Sequence, residues 1–191
     1  MSTGDIIGWC NADDLYLLGT LHIINEYFER RPELDVVYGD YGETDELGRP
    51  LRVRRETHFS PFLLRWLHIN LVPTPSAFWR KSIHEAGIWF NEDLHYAMDC
   101  EFFRKALQIG CRFKHVSVLF CDFRRHSASK TATGQQRKEF ELIIRRDPGA
   151  LRRLPLPFYP IARNICLVTA RTGRTIEKFF RGCYIEQLWR R

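Results

Sequence analysis

The sequence predicts an α/β fold, a mixed sheet flanked by helices with at least one parallel strand pair. Three observations carry that expectation. Short apolar runs of strand length alternate with segments whose apolar residues recur at helical spacing. Turn formers such as Gly4-Asp5, Asn11-Ala12-Asp13-Asp14 and Asp45 to Gly48 separate them. A length of 191 residues with 45% hydrophobic and 27% charged residues allows one folded domain with a sizeable core.

In chain order, Ile6 to Cys10 reads as a short buried strand. A helix is expected from about Leu15 to Arg30, with Leu17, Leu18, Leu21, Ile24 and Phe28 on one face. Asp13 or Asp14 would cap it and Pro32 would end it. Leu34 to Tyr38 is the next strand, followed by a Gly39-Asp40 turn, and Leu51 to Arg55 is a polar strand. Phe62 to Leu67 reads as a short helix, Ser76 to Trp79 as a strand, and Lys81 to Ala86 as a helical turn stopped by Gly87. Met98 to Ile109 is a helix with Met98, Phe102, Ala106 and Ile109 in one stripe and Gly110 as its stop. Phe113 to Phe123 reads as extended, and Gly134 to Arg146 as a polar helix. Four prolines between Pro148 and Pro160 break the chain before one or two helices over Ile161 to Arg191.

No run approaches the ~18 apolar residues of a spanning helix, and no secretory signal is predicted, so a cytoplasmic location is expected. Six cysteines with no C-x-x-C spacing read as reduced core thiols. Residues 1–100 hold 9 basic and 16 acidic residues, and residues 101–191 hold 20 basic and 7 acidic. That asymmetry suits a carboxylate site beside an anion-attracting surface, or a chain that neutralises itself on folding. Residues 136–191, with 13 basic and 5 acidic residues and interspersed aromatics, allow two readings. The segment lies on an anionic membrane surface, peripheral to its inner face, or packs on the domain as a terminal helix. Nucleic acid ranks last as a partner, because no recognised motif accompanies Arg124-Arg125 and Arg152-Arg153.

Asn11-x-Asp13-Asp14 follows an apolar strand, and strand ends are where ligands bind in open sheets. Carboxylates there either cap the next helix or, with phosphate oxygens, hold a hard divalent ion. The segment GDIIGWCNADDLYLLGTL resembles the metal-binding segment of the family 2 glycosyltransferases, which have the GT-A fold. PELDVVYGDY with DELG, the run from Asn70 to Gly110, and FRRHSASKT resemble later blocks of that family in the right order, over about residues 4–132.

The resemblance implies a partial GT-A domain over 1–132 with a basic helical extension over 133–191. It implies an inverting transfer of sugar from a nucleotide-sugar donor to a saccharide or lipid-linked acceptor. Asp13 would hold the donor diphosphate through Mg²⁺ or Mn²⁺, with Asp14 and Asn11 beside it. Asp99 matches the general base, and Met98 stands where a second acid often stands. Without the resemblance Asp99 reads as an N-cap. Arg104 matches a supporting arginine of the catalytic helix, or is a solvated helix residue. His126 approaches the metal or is a loop residue. Asp40 lines the sugar pocket or finishes a turn. Trp79 and Arg80 lie on the acceptor side, or Trp79 packs in the core.

The family domain normally has a nucleotide-base-binding part ahead of Asp13. The strand at Ile6–Cys10 is therefore expected at a sheet edge, covered by self-association or by a protein partner. The alternative to an active enzyme is a truncated non-catalytic remnant, or half of a split transferase that acts only with a partner.

Overall fold

The computed structural model describes residues 3–126, 139–143 and 158–180. The rest of the expected 134–146 helix, the proline-rich stretch before Phe158, and residues 181–191 lie outside the described residues. Six strands form one mixed sheet: β1 (Ile6–Gly8), β2 (Leu15–Tyr16), β3 (Val36–Thr44), β4 (Pro50–Arg54), β5 (Ala77–Arg80) and β6 (Phe113–Arg124). Their order is β1-β5-β3-β6-β2, with β4 on β3. The helices are α1 (Thr20–Arg30), α2 (Pro61–Leu67), α3 (Ser82–Glu85), α4 (Met98–Gln108), α5 (residues 139–143) and α6 (Phe158–Phe180), with a 3-10 turn at Thr74–Ser76.

β3 organises the sheet. It runs parallel to β6 from the Val36–Phe113 pair to the Thr44–Arg124 pair. Its other edge is shared: Val36 to Tyr38 pair antiparallel with β5, and Tyr41 to Thr44 with β4. The strand buries almost every residue, as a strand covered on both faces must. The period of two divides its side chains between two cores. Val36 and Tyr38 join Trp79, Leu64 of α2 and Cys100, Phe102, Phe103 and Ala106 of α4. Val37 joins Phe78, Phe120 and α1's Ile24 and Phe28.

Three expectations are corrected. The Gly39-Asp40 turn does not exist, because β3 continues through it to Thr44. The first helix begins at Thr20, not Leu15. Leu15 and Tyr16 instead pair with Asp122 and Cys121 of β6, and Gly19 takes the left-handed N-cap conformation (φ 83°) that its missing Cβ permits. Asp13 and Asp14 therefore cap nothing there, and Leu18 is fully exposed. Finally, Cys10 is exposed, whereas Cys100 and Cys121 are core thiols; the described cysteines are free, and burial pushes Cys100 up to about 12.

Other boundaries follow local chemistry. Ser60 Oγ accepts the Leu63 N–H at the start of α2, with Pro61 in the first turn. Gly87 and Gly110 end α3 and α4 with positive φ. Ile109, expected in the buried stripe of α4, is half exposed, just beyond the helix. β1 bonds to β5 alone among the described strands and so stands at one end of the sheet.

The register of β3 against β6 slips between Tyr38 and Tyr41. A Cβ added at Gly39 there would stand 2.5 Å from the Phe120 ring and the Val118 carbonyl. Gly39→Ala is expected to destabilise the fold by about 1–3 kcal/mol, the usual cost of overpacking, seen as a lower urea midpoint with an unchanged slope.

Candidate functional site

The loop after β1 is built on its own polar side chains. Asp14 N–H donates to the Asn11 carbonyl at 3.1 Å, and Asn11 Nδ2 donates to Asp14 Oδ2 at 2.6 Å. Trp9 Nε1 donates to Asn11 Oδ1 at 3.0 Å. The second Asp14 oxygen, Oδ1, accepts the Arg124 N–H at 3.0 Å and so ties the loop to the carboxyl end of β6. Asp14 is buried, which raises its pKa against the bonds from Arg124 and Asn11. Asn11 and Asp14 thus position the loop.

Asp13, between them, points out of this arrangement. Its Oδ2 meets His126 Nε2 at 2.7 Å across 113 residues of sequence. Both side chains are about one-third exposed. A carboxylate oxygen suits Mg²⁺ or Mn²⁺ beside phosphate and water, whereas an imidazole nitrogen is a softer donor, better matched to Mn²⁺ than to Mg²⁺. Among the described residues, no third His, Cys, Asp or Glu joins them. The pair does not make a closed protein cage, and an ion held there would need ligands from elsewhere.

Asp99 sits in the first turn of α4. It is not the N-cap, which is Ala97 and offers no side chain. The capping group comes from α5: Glu139 accepts the N–H groups of His95, Tyr96 and Ala97 at 3.0, 2.6 and 3.0 Å. Burial works against the charged Glu139, but these three bonds hold its carboxyl below the usual range. Asp99 is then free for other partners. Its Oδ2 accepts from Asn70 Nδ2 at 3.2 Å and Thr74 Oγ1 at 3.3 Å, and its Oδ1 accepts the Cys100 N–H. Burial outweighs these bonds and raises the Asp99 pKa. The carboxylate lines a cavity of about 510 Å³ together with Tyr41, Glu56, Asn70, Tyr96 and Arg174. Asp13 and His126 are not among the residues lining that cavity.

The remaining candidates have structural partners. Asp40 is wholly buried and accepts from Arg55 Nη1, the Glu56 N–H and His115 Nε2 at 3.1, 2.8 and 3.0 Å. Burial would raise its pKa, but those donors, His115 foremost, hold it below the usual range. It does not line the cavity. Arg104 is buried in α4, so the solvated reading is corrected. Trp79 has no exposed surface: its ring meets Phe90, Phe102 and Phe103, and its Nε1 donates to His84 at 2.9 Å. Arg80 donates to the Leu34 and Phe28 carbonyls and lies over the Phe28 ring. Trp79 is thus a core ring, and Arg80, partly buried, ties the end of β5 to α1 and to Leu34 ahead of β3.

Sequence reasoning passed over Tyr41, Glu56, Asn70, Thr74, Tyr96, Glu139 and Arg174. Tyr41, Asn70, Thr74 and Tyr96 lie inside the family-like blocks, which is the only signal the sequence carries for them. Glu139 and Arg174 come from beyond residue 132 and meet the site only through tertiary packing.

No protein-family model matches the chain, and no curated protein matches it. Among solved structures, S. aureus TarS 1–349 aligns with a TM-score of 0.47 at 17% identity, over 64% of this chain and 36% of that one. The same TarS fragment in complex with UDP aligns with a TM-score of 0.48 at 17% identity, over 65% and 37%. The chain thus spans little more than a third of those structures' length.

Glu139→Gln is expected to destabilise the fold at neutral pH by about 0.5–1 kcal/mol, the low range for a partly exposed helix cap. The folded pKa of Glu139 is lowered. Its stabilisation is therefore present above the unfolded pKa and lost as pH falls through the folded one. Urea unfolding of both proteins at neutral and acid pH should show the difference shrink on acidification.

Proposed function

We propose that this chain is a nucleotide-sugar-dependent glycosyltransferase, or the metal-and-base half of one. It would transfer a sugar with inversion to a saccharide or lipid-linked acceptor. The observation that carries the reading is the meeting of Asp13 and His126 at 2.7 Å. These are the two residues that the family resemblance names as metal contacts, and they lie 113 positions apart.

Asp13 Oδ2 and His126 Nε2 would hold Mn²⁺ or Mg²⁺, which offsets the charge of the donor's diphosphate and of the departing nucleotide. Asn11 and Asp14 keep the loop in place by their bonds to each other and to Arg124. Asp99 would accept the proton of the acceptor hydroxyl as that oxygen attacks the anomeric carbon. Asn70 and Thr74 orient the carboxylate, and its raised pKa makes it a stronger base than an exposed aspartate. The cavity beside it is wide enough for a sugar unit.

A second reading is a binding module or remnant that keeps the fold without transfer. It is favoured by the placement of Asp13 and His126 outside the cavity that Asp99 lines.

Calorimetric titration of a nucleoside diphosphate panel, UDP included, with and without Mn²⁺ separates the two readings. The transferase reading expects metal-dependent binding that falls at least about tenfold in Asp13→Ala and in His126→Ala, as ligand loss requires. Absence of binding under every metal condition overturns it and leaves the remnant. Where transfer is measurable, Asp99→Asn should lower its rate by about 10²–10⁴-fold without weakening diphosphate binding. The acid limb of the wild-type pH profile should lie above the range of an exposed aspartate, because the raised pKa keeps Asp99 protonated to higher pH.

A further inference from the structure

Helix α6 carries an apolar stripe on the side turned away from the other described residues. Phe158, Ile161, Ile165, Val168, Ile176 and Phe179 follow at three- and four-residue steps, with Thr172 in the same row. These six apolar side chains are 49–66% exposed, and Phe180 beside them is 82% exposed. The other side of the helix meets the domain. Glu177 accepts the His58 N–H at 3.0 Å and pairs with His58 Nδ1 at 2.7 Å, while Arg174 lines the Asp99 cavity. At 3.6 residues per turn, Arg174 lies about 160° around the helix from the centre of the stripe. The stripe is thus not the face that docks α6 on the domain.

Charge decides what covers it. The helix carries Arg163, Arg171, Arg174 and Lys178 against Glu177 alone; Arg171 and Lys178 flank the stripe, about 100° and 120° from its centre, whereas Arg163 and Arg174 lie on the far side. A second copy packed stripe to stripe would bring Arg171 and Lys178 toward the same cations of its partner, with no acid on those flanks between them. Lipid phosphates supply the missing negative charge, and acyl chains take the apolar row. No described helix is long and apolar enough to cross a membrane, so the fitting orientation is flat in the interface.

We propose that α6 is an in-plane membrane-binding helix that seats its Phe158–Phe179 stripe in an anionic bilayer surface. The helix then stands between the lipid and the Asp99 cavity, whose wall includes Arg174.

The test is co-sedimentation of the full chain with vesicles of equimolar phosphatidylglycerol and phosphatidylcholine, against vesicles of phosphatidylcholine alone, at low and high salt. Wild type should bind the anionic vesicles more tightly and release with salt. The double variant Ile165→Asp, Val168→Asp should lose binding by more than about tenfold. Arg171→Gln, on the flank of the stripe, should weaken it about fivefold. All three positions are exposed, and circular dichroism checks that the variants keep their helix content. As a second readout, Ile165→Trp should show blue-shifted emission with anionic vesicles and quenching by brominated acyl chains. Failure of wild type to bind anionic vesicles at low salt overturns the proposal, as does unchanged binding in the double aspartate variant or unquenched tryptophan. A concentration-dependent dimer that Ile165→Asp, Val168→Asp abolishes, with no vesicle binding, overturns it in favour of a second copy.

Discussion

The parallel ladder between β3 and β6 is the constraint on which the rest of the molecule depends. It sets residues 36–44 beside residues 113–124, and each candidate group reaches its place through one of these strands. Asp14 bonds the backbone of Arg124 at the end of β6, and that bond carries Asp13 to His126. Ser76 Oγ donates to the Gly39 carbonyl at 2.8 Å in mid-β3, pinning the 3-10 turn whose Thr74 meets Asp99. Tyr41, further along β3, lines the cavity beside that carboxylate. Parallel pairing leaves both strands ending on the same side, where open sheets place ligands.

Burial of carboxylates along this ladder shows how environment divides similar side chains into different roles. Asp40 and Glu43 are both buried, and both are held below the usual range by donors that outweigh desolvation: His115, the Glu56 N–H and Arg55 for one, Arg52 and Arg54 for the other. They are structural anions. Asp99 has only neutral donors, so desolvation wins and its pKa rises. Glu56 also rises, with burial first among the causes and Lys178 of α6 working against it. Asp99 and Glu56 line the cavity, whereas Asp40 and Glu43 do not, nor does Asp14, which burial also raises.

The alternating pattern was readable because apolar periodicity reports burial directly. Val36 to Tyr38, Ala77 to Trp79, Phe102 and Ala106 lie in the core that their spacing implied. The errors have a common physical origin. Leu15 to Leu18 have the composition of a helix, but β6 offers an unpaired edge, and ladder bonds displaced the first helical turn. Gly39-Asp40 has turn chemistry, yet Gly39 is used for close approach to Phe120, and the Asp40 carboxylate is satisfied by donors remote in sequence. Trp79 reads equally as a sugar platform or a core ring; enclosure by α4 decided between them.

The sequence by itself determined the α/β layering, the burial of Ile24, Phe28, Phe102 and Ala106, the acidic loop after the first strand and the basic amphipathic end of the chain. These follow from periodicity and local composition, which need no knowledge of distant partners. Tertiary structure alone decided that Asp14 is a tether and Asp13 the outward carboxylate, that Glu139 caps α4, and that α6 turns its apolar row away from the domain. Each of those outcomes depends on which groups from far along the chain reach a given donor or surface first, and a one-dimensional pattern does not carry that information.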